Sequence, residues 1–165
     1  MKIDKLNKQF LDAIYKENFS RNARFNNRIG FYADSSNVYL TLDSYVLYVV
    51  PSVLFFIDLE HTLVKAHCKL DIKRLAAYDK SEYVDAVNTG ELYSSCAPNK
   101  KSGTRVKIAS VDDPSKCFWI DTDFLKMFDE PAFKVSKCYK YQPVLVFENG
   151  CFAGFIMPIR VEETK

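Results

Sequence analysis

The sequence predicts an α+β fold, an antiparallel sheet with packed helices. Three observations carry this. Short β-branched and aromatic runs recur with turn residues between them, an amphipathic helical stretch opens the chain, and glycine and proline are scarce, at 5 and 6 of 165 residues. Nearly half of the residues are apolar, 48%, which suits a packed core rather than a disordered chain. The length suits a single domain over 1–165, with halves 1–98 and 104–162 meeting at the polar turn 99–103.

Residues 4–17 read as a helix. Ile3, Leu6, Phe10, Ala13 and Ile14 share one face, Lys5, Lys8, Asp12 and Lys16 the other, and Asp4 is placed to cap the start. A polar, basic segment follows over 18–29, a loop or the beginning of a strand at Ile29. VYLTL (38–42) and YVLYVV (45–50) form a hairpin about Asp43-Ser44. The second arm is apolar on both faces and predicts a central or covered strand, which Pro51 ends. Between 52 and 79 the pattern is mixed, with a helix favoured over 71–78 from Asp71, Ile72, Leu75 and Ala76. Residues 80–103 show no clear periodicity.

Further on, RVKIAS (105–110) alternates as a strand, VDDPSK (111–116) is a turn and CFWI (117–120) a strand. Asp121 begins a short helix, with Asp123 in its first turn and Phe124, Leu125 and Phe128 inward. Phe133, Val135 and Cys138 suggest another strand. The closing PVLVFENGCFAGFIMPIR (143–160) is a hairpin about Asn149-Gly150, a pair that adopts positive φ cheaply. Pro158 cannot donate to a ladder, so the last strand lies at an edge or ends there.

This ending, with Met157, Pro158, Ile159 and Arg160, resembles the end of bacterial-type DNA polymerase sliding clamps, which close on a strand, a turn and a strand running into Met-Pro-x-Arg. The short helix with its Phe-Leu pair, Phe133–Val135 and Pro143 fit the same pattern, and VYLTLDSYVLYVVP is similar to a hairpin of phage-encoded clamp-like proteins. The resemblance covers 105–162 in some detail and 35–51 loosely. It implies two clamp-like helix-plus-strands repeats in a chain less than half as long as a clamp subunit, and a phage or mobile-element domain reused for another task. It also implies DNA or replication proteins as partners, and homo-oligomerisation for encirclement.

The candidate chemistry is sparse. Asp58, Glu60, His61, His67 and Cys68 include metal-ligand types but not the tight pairs of a zinc site, and neighbouring His67 and Cys68 diverge on regular structure. Asp112-Asp113 before Pro114 reads as a turn, and Asp121 with Asp123 as a helix start. The glycines form no phosphate loop. No catalytic set, metal or cofactor is expected, and the protein is read as a non-enzyme. Cys68, Cys96, Cys117, Cys138 and Cys151 are odd in number and unpaired in spacing, as in reduced thiols of a cytoplasmic protein. The longest apolar run, 45–57, is shorter than the about 20 residues of a membrane helix.

Surfaces remain. The net charge of +2 is modest, but Arg21, Arg24 and Arg28 fall at helical spacing with Phe19 just before them and Phe25 among them, a pattern suited to phosphate contact and stacking. Because helix-borne basic residues of a clamp face the duplex, the resemblance adds Lys5, Lys8 and Lys16. Lys137, Tyr139, Lys140 and Tyr141 form an aromatic–basic strip suited to a protein contact. The expected function is therefore a non-catalytic, clamp-like accessory domain contacting DNA or replication proteins. The alternative is a protein-binding module that engages a host factor without binding DNA.

Overall fold

The computed structural model describes residues 1–19, 29–42, 45–58, 71–73, 80–94, 103–138 and 142–161, with 16–19 and 94 described as backbone. The fold is α+β with antiparallel strands, and its contacts gather into two units, Met1–Tyr78 and Asp79–Lys165.

In the first unit, α1 (Ile3–Phe19) buries Leu6, Phe10 and Ile14, three side chains at helical spacing. Asp4 lies within the first turn rather than capping it, because the helix begins a residue earlier, at Ile3. There the carboxylate still favours the positive end of the helix dipole. Three strands follow as a meander: β1 (Gly30–Ala33), β2 (Asn37–Thr41) and β3 (Val46–Pro51). Val46, Leu47, Tyr48, Val49 and Val50 are all buried, so β3 is covered on both faces, as its unbroken apolar run requires. A 3-10 turn, Ser52–Leu54, follows Pro51, and Phe55 sets its ring edge-on to Phe10 at 6.0 Å between centroids. Ile72 and Lys73 are helical and Ile72 is buried; Leu75 and Ala76 lie outside the described residues.

The second unit is built from β4 (Tyr83–Ser94), β5 (Thr104–Ser110), β6 (Cys117–Asp121), a one-turn helix α2 (Thr122–Leu125), β7 (Ala132–Ser136), β8 (Val144–Glu148) and β9 (Cys151–Ile156). The strand order is β9-β8-β7-β4-β5-β6. Two meanders, β4–β5–β6 and β7–β8–β9, therefore join through their first strands, with Val84 opposite Val135 and Ala86 opposite Phe133. Beyond β9 the chain reaches the other end of this order, where Ile159 bridges Trp119 of β6. The sheet thus curls round a core that includes Val106, Ile108, Phe118, Ile120, Phe133, Val135, Val144 and Val146.

Local chemistry sets the ends. Asp121 Oδ1 accepts the Asp123 N–H at 2.9 Å and caps α2, which stops at Leu125 instead of running to Phe128. Phe128 is buried nonetheless, after a turn in which its N–H donates to the Leu125 carbonyl. β7 ends at Ser136, so Cys138 lies past the strand and is exposed. Asn149 and Gly150 take φ of 50° and 76°, the pair of positive values that a two-residue hairpin turn needs.

Candidate functional site on the outer sheet face of the second unit

Alternation along β5 sends Val106 and Ile108 to the core and Arg105 and Lys107 outward. Along β6, Phe118 and Ile120 go inward and Trp119 outward. Register then puts Lys107 opposite Trp119, and Tyr93 of β4 opposite Arg105, which in turn faces Asp121.

An aromatic–cationic group results. The Tyr93 and Trp119 rings lie 5.8 Å apart, tilted by 58°. The Arg105 guanidinium is 5.7 Å from the Tyr93 ring centre, and the Lys107 ammonium 5.9 Å from that of Trp119. Such contacts are each worth about 0.5–1 kcal/mol at exposed positions. They hold these long side chains in place.

A bulge in β4 completes the group. Between Asn88 opposite Ile108 and Leu92 opposite Val106 the register shifts, leaving Thr89, Gly90 and Glu91 arched over Lys107. Gly90 makes the arch possible with φ of 75°, and its N–H donates to Asn88 Oδ1 at 2.9 Å. The Lys107 carbonyl accepts the Thr89 hydroxyl at 3.2 Å. Glu91 reaches the Lys107 ammonium at 2.9 Å.

A second group lies on the same outer face of this unit. Phe147 and Phe152 meet at 5.7 Å, Lys134 lies 5.5 Å from the Phe147 ring centre, and Lys80 lies 4.4 Å from that of Phe152. Lys134 also pairs with Asp85 at 3.2 Å. Cations on this face thus meet both an aromatic ring and, at Lys107 and Lys134, a carboxylate.

The sequence-predicted surface residues are not gathered here. Lys5 and Lys8 are exposed on α1, and Lys16 belongs to the same helix. Arg21, Arg24 and Arg28 lie outside the described residues, as do Tyr139, Lys140 and Tyr141 of the second strip; Lys137 is exposed. Glu60, His61, His67 and Cys68 also lie outside, while Asp58 is exposed.

Asp113 serves its turn: its carboxylate accepts from the Ser115 hydroxyl and N–H, and Lys116 lies 3.7 Å away. Those contacts, the Ser115 hydroxyl foremost, hold its pKa below the ordinary value. Among the described residues no three His, Cys, Asp or Glu side chains converge as metal ligands, and no helix is long and apolar enough to cross a membrane.

None of Tyr93, Arg105, Lys107 and Trp119 was among the sequence-predicted site residues, and Tyr93 was the least legible, since it sits in the aperiodic 80–103. Arg105 and Lys107 fall in the alternating run 105–110 and Trp119 in the strand 117–120, but the register of β4 was needed to unite them. Comparison with family models, with curated proteins and with solved structures finds no match to this chain.

Proposed function

We propose that the chain is a non-catalytic module that binds a protein partner through the outer face of β4, β5 and β6. The observation that carries this reading is the Tyr93–Trp119–Arg105–Lys107 group, half-buried aromatics with cations already oriented against them. Tyr, Trp and Arg dominate the binding energy of protein interfaces, and preordered side chains lose less entropy on contact. Glu91 beside Lys107 and Asp85 beside Lys134 keep the local charge balanced. Balanced charge suits a protein surface better than a phosphate backbone, whose binding rests on releasing counterions.

A second reading, the clamp-like accessory domain contacting DNA or replication proteins, is favoured by one observation, the exposed Lys5 and Lys8 on α1. In that reading α2 with β7–β8–β9 would be one of two clamp-like repeats.

One pair of measurements separates the two. Full-length wild type and a Tyr93→Ala/Arg105→Glu double variant serve as bait for cross-linked partners. Labelled single- and double-stranded DNA is titrated by anisotropy at about 50 and about 200 mM salt. The protein-binding reading expects capture that the double variant loses by about tenfold or more, and no salt-sensitive DNA binding. Capture indifferent to the double variant, with DNA binding that collapses at the higher salt, would replace it with the second reading.

A further inference from the structure

Strand β6 stands at one end of the second unit's strand order, with Trp119 at its centre. The Ile159 N–H donates to the Trp119 carbonyl at 2.7 Å, which fixes the direction of that residue's backbone groups: outward, away from β5. Alternation then points the backbone of Cys117 outward too, while Phe118 and Ile120 bond to β5. Among the described residues, Trp119 is the position at which the chain's end bridges the outer edge of β6.

The segment that makes this bridge is poorly suited to make more. Pro158, just before Ile159, locks its own φ at about −65°, away from the value of a regular antiparallel strand. The bridge at Ile159 stands alone, outside any strand. Among the described residues, β6 is therefore an edge that accepts an extended backbone and is bridged at a single position. Unpaired edges of this kind recruit strands from other chains.

We propose that the outer edge of β6 accepts an extended segment of the partner protein as an added antiparallel strand, with Met157–Val161 as the resident competitor. This rests on the protein-binding reading and names the form its partner takes. The incoming strand places an apolar residue opposite Trp119, where Ile159 now sits. That side chain lies on the outer face, beside Tyr93 and Lys107. Backbone bonds supply affinity, and the aromatic–cationic group selects the side chain.

The test uses the full chain and a labelled peptide copying Phe155–Val161 with the substitution Pro158→Val. Binding is followed by anisotropy of the label and by emission of Trp119, the single tryptophan of the sequence. Ile159→Pro removes the N–H that holds the competitor and is expected to bind the peptide about fivefold or more tighter than wild type. Equal binding by the two, or none by a variant whose circular dichroism is unchanged, would overturn the proposal.

Should Ile159→Pro fail to fold, wild type decides through amide hydrogen exchange. Saturating peptide is expected to slow exchange at Cys117 and Trp119, and unchanged rates there would overturn the proposal equally. Partner capture that depends on Tyr93 and Arg105, together with absent peptide binding, would defeat the added strand and leave the protein-binding reading standing.

Discussion

Asp34 ties the β1–β2 connection with one carboxylate. Oδ1 accepts the Ser36 and Asn37 N–H groups at 2.8 and 2.7 Å, and Oδ2 accepts the Tyr39 hydroxyl at 3.1 Å. The bond from Ser36, then that from Asn37, holds its pKa below the ordinary 3.8, while burial and then Asp34 push that of Tyr39 up. A carboxylate with a lowered folded pKa stabilises the fold above its unfolded value. That contribution disappears as pH falls through the lowered value. Thermal melts should therefore show Asp34→Ala below wild type at neutral pH, with the gap closing on acidification past 3.8. A gap independent of pH would assign the effect to something other than the charged acceptor. Single residues were legible in the sequence where their chemistry is local. Asp121 as a cap, Asp113 as a turn acid and Asn149-Gly150 as a hairpin turn each act within a few positions of themselves. Tyr93 was not, because its partners Arg105 and Trp119 are fixed by strand pairing.

Elements divide in the same way. β2, β3, β5, β6, β8 and β9 show as alternating or continuous apolar runs, since burial on one or both faces writes itself into the sequence. β4 has no such run because its stretch from Val87 to Leu92 is exposed throughout and interrupted by the arch at Gly90. That glycine has open space where a side chain would go, but its φ of +75° is unfavourable for other residues. Gly90→Ala should therefore cost about 1–2 kcal/mol from the backbone alone, measured by urea denaturation. It should also weaken the Glu91–Lys107 pair, since the arch carries Glu91. A neutral substitution would mean that the arch relaxes into regular strand without loss. Helix ends were less legible: α2 stops a turn early because Phe128 reaches the core through a turn.

For the whole molecule, composition and pattern identified an α+β chain with antiparallel strands, and no local signal announced how its meanders join. The pairing of β4 with β7 brings together segments separated by β5, β6 and α2. Neither strand carries a mark of its partner beyond apolar residues such as Val84 and Val135. The candidate site inherits the same opacity, since Arg105 and Trp119 acquire Tyr93 only through β4's register on β5. The β4–β7 junction also has a consequence for how quickly the chain acquires its structure. The β8–β9 hairpin closes over the two residues Asn149 and Gly150 and forms early, whereas β4 must meet β7 across a long loop whose closure entropy is not recovered until the strands dock. The rate-limiting step in folding the second unit should then lie at the meeting of its meanders. In stopped-flow experiments, Val146→Ala in β8 should slow refolding, and Val84→Ala in β4 should chiefly accelerate unfolding. The reverse pattern would mean that the distant strands find each other before the nearby ones turn back.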